Sequence, residues 1–319
     1  MKNSRNVLVT GANGFVGTRL LERLRASATL RAFGAVRSIS SSDTERLFEV
    51  GDIDSRTDWS VALHNQNVVI HAAARVHIMK DTAADSLAAF REVNTAGTLN
   101  LARQAAAQGV SRFVFISSIK VNGEQTLQGA TFKADDVPEP GDAYAVSKLE
   151  AEQGLWQISL ETGMEIVVLR PPLVYGPGVK GNFASMVSLV SRGVPLPLGG
   201  VKNKRSLLAL DNLVDLVTVC VEHPAAANQV FLVCDSEDLS TPELLRRVGV
   251  ALDKPARLIW VPGGILRLGA FMLGRRAMAQ RLMGSLQVDI TKARELLGWE
   301  PPMSVDEAVL QCCRALRVC

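Results

Sequence analysis

Apolar residues along this chain alternate between two patterns. Runs without polar alternation, "NVLVTG" from residue 6, "NVVIHAAA" from residue 67, "RFVFISS" from residue 112 and "EIVVLRPPLVYG" from residue 165, predict strands buried on both faces. Between them apolar positions return at helical spacing. Phe15, Val16, Leu20, Leu21 and Leu24 share one face, and the stretch 83–108 stops at Gly109, a residue suited to a helix C-terminus. Strand, helix, strand repeated in this way is the pattern of an α/β chain folded as a doubly wound parallel sheet.

After about residue 175 the alternation weakens and Gly and Pro accumulate in "YGPGVKGN" and "RGVPLPLGG". The expected division is one domain over 1–175 and a smaller α/β lobe over 176–319, with the chain crossing back around 205–235. In the second part "SLLAL" reads as a strand running into a helix from Asp211, "QVFLVCD" as a strand, and "STPELL" as a helix start capped by Ser240 or Thr241. "SVDE" offers Ser304 and Glu307 as a capping box for the last helix.

The first strand runs into "TGANGFVG", which places Gly11, Gly14 and Gly17 between a strand and a helix. Glycines there allow a tight turn, close approach of backbone to a pyrophosphate and close helix-to-strand packing, with the helix N-terminus facing the anion. Dinucleotide binding is the expectation. The second strand ends in Arg37 and Ser38 without the acid that grips a ribose 2′-hydroxyl, so Arg37 favours NADP(H) over NAD(H); stacking on adenine or pointing to solvent are its other roles. Asp52 in "GDID" is placed to meet the adenine amino group, or is a turn residue.

"DAYAVSK" puts Tyr144 one helical turn before Lys148. A phenol with pKa near ~10 is a poor acid or base at neutral pH, and a neighbouring ammonium brings it toward a useful value. The pattern alone is common by chance. The strand "RFVFISS", however, delivers Ser117 and Ser118 to the carboxyl-end crevice in which such sheets bind ligands.

Together these residues resemble the short-chain dehydrogenase/reductase superfamily in its extended form acting on nucleotide sugars. The resemblance spans nearly the whole chain, through "TGANGFVG", "GDID", "HAAA", "NTAGTLNL", "SSIKVNG", "YAVSK", "LRPPLVYGPG" and "KARELLGWEP" in order. It implies a Rossmann-type nucleotide domain, a UDP-sugar substrate, NADP(H) or NAD(H) and a homodimer. It makes Tyr144 the proton donor or acceptor at the sugar C4 oxygen, Lys148 the ribose and pKa partner, and Ser118 the second hydrogen bond. Ala72, Ala73 and Ala74 would flank the cofactor with Asn94 in support; Asn13, Phe15, Val16, Ile53, Ser117, Pro171, Leu173 and Val174 complete the implied cofactor set. Asn182 and Arg205 would hold the diphosphate, Pro197 and Leu198 of "PLPLGG" would run beside the base, and Arg281 joins the substrate set. Arg75 and Lys120 would lie near the sugar or form a solvated rim.

Dehydratases of this type carry an acidic pair after the catalytic Ser/Thr, where Ile119 and Lys120 stand here, so elimination is set aside. Arg37, Leu173 in place of a phosphate-contacting Asn, and Asn122 in place of the Tyr of "VYG" point to a 4-ketoreductase. That enzyme would reduce a UDP-4-keto-6-deoxy-N-acetylhexosamine, as in the UDP-N-acetylquinovosamine-forming reductases of surface-polysaccharide (O-antigen) synthesis. The alternatives are a UDP-sugar 4-epimerase with tightly bound NAD, and a non-catalytic dinucleotide-binding protein.

Composition changes this picture little. A net charge of +3 with no basic–aromatic run speaks against a nucleic-acid partner. The N-terminus leaves no room for a secretion signal, which makes a cytoplasmic location the expectation. Cys220, Cys234, Cys312, Cys313 and Cys319 lack metal or disulfide spacing and are expected to be reduced thiols. The apolar stretch 258–274 is too short and too broken for a membrane span. Between Pro262 and Gly284 its only charges are Arg267, Arg275, Arg276 and Arg281, which leaves open a helix on an anionic membrane surface beside a plain packing helix.

Overall fold

The computed structural model describes residues 4–39, 46–76, 86–127, 129–272, 274, 280 and 282–317. Its main sheet has seven strands: β1 (Arg5–Thr10), β2 (Leu30–Val36), β3 (Leu47–Glu49), β4 (Val68–His71), β5 (Arg112–Ile116), β6 (Glu165–Arg170) and β9 (Gln229–Leu232). They lie in the order β3-β2-β1-β4-β5-β6-β9 with every pairing parallel. All four residues of β4 and five of the six of β6 are buried, as expected of strands covered on both faces. The strand order reverses between β1 and β4, and the crevice beyond the carboxyl ends of those strands is where such sheets take ligands.

One face is covered by α1 (Phe15–Arg25), α7 (Leu210–Glu222) and α10 (Thr291–Leu297). The other is covered by α2 (Ser60–Leu63), α4 (Thr98–Ala107) and α5 (Ala143–Thr162). The helix expected over 83–108 is described from Ser86 and is not uniform: α3 (Ser86–Phe90) passes into a π-helical stretch, Arg91–Gly97, before α4. A π turn inserts a residue and re-aims the side chains beyond it, and here it carries Asn94.

The run "EIVVLRPPLVYG" is two strands, because Pro171 and Pro172 cannot donate to a ladder. After them β7 (Leu173–Tyr175) joins β8 (Arg205–Ala209) and β10 (Asp238–Leu239) in a second sheet ordered β10-β8-β7. Packed on it are α6 (Asn182–Ser191), α8 (Thr241–Ala251) and α11 (Val305–Arg317), which share a third apolar cluster. Ser240 and Glu243 form a capping box on α8, and Ser304 and Glu307 exchange the same bonds ahead of α11. Buried Asp235 ties the two sheets, accepting bonds from Tyr175 (2.9 Å), Asn212 (2.8 Å) and the Ala209 amide (2.8 Å). The remaining helix, α9 (Gly263–Met272), lies on the outside of this smaller lobe.

Candidate active site

The turn between β1 and α1 has the geometry of a dinucleotide cradle. Gly11 has φ +64°, which glycine adopts without steric cost, and its carbonyl accepts from the Gly14 amide at 2.8 Å. A Cβ on Gly17 would stand 2.1 Å from the Gly11 oxygen, so only a glycine lets α1 pack this close to the turn. A Cβ on Gly11 would meet the Ala73 backbone at 2.9 Å, which brings the exit of β4 against the same turn. Gly17→Ala is therefore expected to strip the protein of nicotinamide cofactor, raising its Kd by about tenfold or more because loss of a snug backbone approach costs over ~1.4 kcal/mol; nucleotide released on denaturing the purified variant measures it.

Arg37 and Asp52 form a 2.6 Å ion pair at the end of β2, each about three-quarters exposed. The arginine thus already has an acidic partner.

At the head of α5, Asp142 caps the helix by accepting from the Ala145 amide at 2.8 Å. Tyr144 occupies the first turn, partly buried, with Phe90 edge-on at 5.9 Å. Beside it stands Ser118, which caps a 3₁₀ turn over Ile119–Val121 by accepting from the Lys120 amide. That turn is tied to the end of β6, since the Ile119 amide donates to the Pro171 carbonyl at 2.9 Å. Burial, with a smaller push from Asp142, raises the phenol to about 12, against a downward pull from the Ser118 hydroxyl. One turn further on, Lys148 is 1% exposed with its Nζ 4.1 Å from the centre of the Phe115 ring. Burial holds its ammonium down to about 7, against a rise from Glu152.

Glu152 continues the stripe of α5 that faces the sheet. It is paired with Arg170 at 2.6 Å, both nearly fully buried, and also accepts from the Ser117 hydroxyl. Arg170 donates in turn to Asn122 at 3.0 Å, and Asn122 donates to the Lys133 carbonyl at 2.9 Å. Asn122 therefore serves the ion pair beneath the site.

A second buried chain sits under β4. His71 meets Thr10 at 2.7 Å and Thr98 at 2.9 Å. Thr98 spends its proton on the Asn94 carbonyl at 2.7 Å, so the His71 Nε2 must donate and its Nδ1 accept from Thr10. Burial first and the charge of Lys148 second drive His71 down to about 3, which keeps the ring neutral and this tautomer fixed. Thr10 also takes the Ala73 amide at 3.3 Å. Asn94, aimed by the π turn, brackets Arg75 by accepting from its amide (2.8 Å) and donating to its carbonyl (3.0 Å), and reaches Ser147 on α5 at 3.1 Å.

The structure thus brings Ser118, Lys120 and Phe90 to Tyr144, and Arg75 to the far side of Phe90. Lys120 pairs with Asp142 and lies 6.0 Å from the Tyr144 ring, and the Arg75 guanidinium lies 5.9 Å from Phe90. The other substrate candidates belong to the smaller lobe. Asn182 is exposed as the first residue of α6; Arg205 opens β8, donates to the Gly284 carbonyl at 3.1 Å and has its pKa lowered by burial. Exposed Pro197 and half-buried Leu198 sit in a loop hydrogen-bonded to 257–259. Arg281 lies outside the described residues. Sequence reading did not single out Glu152, Arg170, Asp142, Phe90, His71, Thr10 or Thr98 as parts of the site. The available signal was charge on buried elements: Glu152 at i+4 from Lys148, and Arg170 and His71 at the ends of apolar strands.

Residues 7–234 match the family described as the NAD dependent epimerase/dehydratase family. The chain belongs to that family. Over 315 residues it is 50% identical to a UDP-glucose 4-epimerase of Vibrio cholerae, a match covering 98% of this chain and 96% of the relative. It is 26% identical to a GDP-6-deoxy-D-mannose reductase of Pseudomonas aeruginosa, across 96% of this chain and 95% of that one. Its fold resembles that of a UDP-glucuronic acid 4-epimerase from Bacillus cereus crystallised with NAD, with a TM-score of 0.79 and 22% identity over 98% of this chain and 99% of the other. The glycine cradle fits the nicotinamide dinucleotide of the family.

Proposed function

We propose that the protein is a UDP-hexose 4-epimerase, inverting C4 of the sugar through a transient 4-ketone. The observation that carries this reading is the 50% identity, over nearly the full length of both chains, to a relative named as a UDP-glucose 4-epimerase. The reductase relative stands at 26%. The expectation of a 4-ketoreductase rested partly on Asn122 and Arg37. Asn122 has a structural occupation under the Glu152–Arg170 pair, and Arg37 is paired with Asp52, so neither residue argues for a reductase.

The cofactor, when bound, supplies a reversible two-electron acceptor for C4. The chain supplies the proton chemistry. As the phenolate, Tyr144 takes the proton of the C4 hydroxyl as the alcohol becomes the ketone, and as the phenol it returns that proton as the inverted alcohol forms. Ser118, beside the phenol, supplies the second hydrogen bond to the C4 oxygen. Lys148 stands one helical turn behind the phenol and, as the ammonium, would favour the phenolate. Asn182 and Arg205 would hold the diphosphate, with Pro197 and Leu198 beside the base and Arg75 and Lys120 nearest the sugar.

Purified protein given UDP-galactose without added cofactor is expected to form UDP-glucose with no net change at the reduced-nicotinamide absorbance band. Stoichiometric consumption of NADPH on a UDP-4-keto-6-deoxy-N-acetylhexosamine, with UDP-galactose untouched, would return the assignment to the ketoreductase.

A further inference from the structure

Helix α9 departs from the pattern that puts polar residues on the solvent side of a surface helix. Ile265, Leu268 and Met272, at i, i+3 and i+7, form one stripe and are 61%, 61% and 76% exposed. Leu266, turned away from that stripe, is half-buried. Just ahead of the helix, Ile259 and Trp260 are also exposed. Of the sixteen large apolar side chains exposed among the described residues, six fall within 259–272, whereas the rest are scattered as on ordinary surfaces.

The charge of the same stretch is equally one-sided. From Lys254 to Val288 the sequence carries Lys254, Arg257, Arg267, Arg275, Arg276 and Arg281 and no Asp or Glu. The rest of the chain then holds 29 basic against 32 acidic residues and is net acidic. Arg257 and Arg267 are exposed beside the apolar stripe. An occupant must therefore accept apolar side chains into its interior while presenting negative charge at its surface.

We propose that this face docks on a bilayer containing anionic phospholipid. A ten-residue helix of about 15 Å lies in the interface and does not span it. Among the described residues no helix is long and apolar enough to cross a membrane. A second copy of the chain is the poorer occupant, because a two-fold contact sets the basic surface against itself. The segment is also fastened to the smaller lobe at both ends. Leu196 exchanges backbone bonds with Arg257 and Ile259, and the Asn203 amide donates to the Leu282 and Gly284 carbonyls at 3.2 and 3.1 Å. Docking therefore brings the side of that lobe bearing Pro197 and Leu198 to the membrane surface.

The test is co-sedimentation of the full-length protein with vesicles of phosphatidylcholine, with or without phosphatidylglycerol. Partition is expected to be about tenfold or more stronger on the anionic vesicles and to weaken with salt. Trp59 and Trp299 are buried and Trp156 is half-buried, so a blue shift of tryptophan emission on binding reports Trp260. The double variant Leu268→Ser/Met272→Ser is expected to lose the partition while keeping its UDP-sugar turnover and nicotinamide content in solution. Equal partition on both vesicles, or unchanged binding by the double variant, overturns the proposal. So does a self-associated wild-type species that the double variant dissolves, which would assign the face to a second copy.

Discussion

Tyr144→Phe is expected to lower kcat by about 10³ while leaving the cofactor in place, because a positioned proton donor and acceptor contributes roughly 10²–10⁴. The substitution removes one oxygen. The ring keeps its edge contact with Phe90, the Asp142 cap is untouched, and the glycine cradle lies on β1 and α1, away from α5. Turnover and bound nicotinamide should therefore separate: the first collapses and the second stays. A variant with wild-type turnover removes Tyr144 from the chemistry, and one that loses its cofactor as well shows that the phenol positions the dinucleotide.

How legible this site was depends on how local its determinants are. The glycine turn could be read because a Cβ on Gly17 would stand 2.1 Å from the Gly11 oxygen, which admits one residue type, so the requirement is written in the sequence. Tyr144 and Lys148 were legible for the same reason: one helical turn fixes their relation. The pair Glu152–Arg170 was not, since it joins residues on different elements whose contact exists only once α5 lies on β6. Asn122 shows the consequence. Along the chain it looked like a departure bearing on the reaction, whereas in three dimensions it is the outer partner of a buried arginine. The splitting of "EIVVLRPPLVYG" is the fold-level counterpart, where apolar periodicity continued through Pro171 and Pro172 although the ladder could not. The π turn had no periodic signature, because in a run rich in alanine too few large apolar side chains mark the buried face for its rotation to be seen.

Lys148→Met is expected to move stability and activity in opposite directions. The buried Glu152 charge is already balanced by bidentate Arg170, which makes the Lys148 ammonium the surplus charge in this core, set against the face of Phe115. Its pKa in the folded protein, about 7, lies below the ordinary 10.5. The unfolded chain keeps the proton through that window while the folded chain gives it up, so the penalty is fully present below pH 7 and fades as pH rises toward 10.5. Methionine fills similar space with no charge to desolvate, and should recover on the order of a few kcal/mol at neutral pH. That corresponds to a rise in Tm of roughly 5 °C for a chain of this size. The gain should be largest below pH 7 and shrink steadily above it, as thermal denaturation at several pH values measures. Turnover should fall by about 10² or more, since in the proposed mechanism the phenolate loses the neighbouring cation that would favour it. If Lys148→Met instead lowers Tm at neutral pH, the ammonium is held by Glu152 and the Phe115 face strongly enough to stabilise the fold, and its cost to the core is not what tunes the site. The opposite signs would have one physical origin: a cation that water would hold more comfortably is kept in the core, where the proposed reaction uses it beside Tyr144.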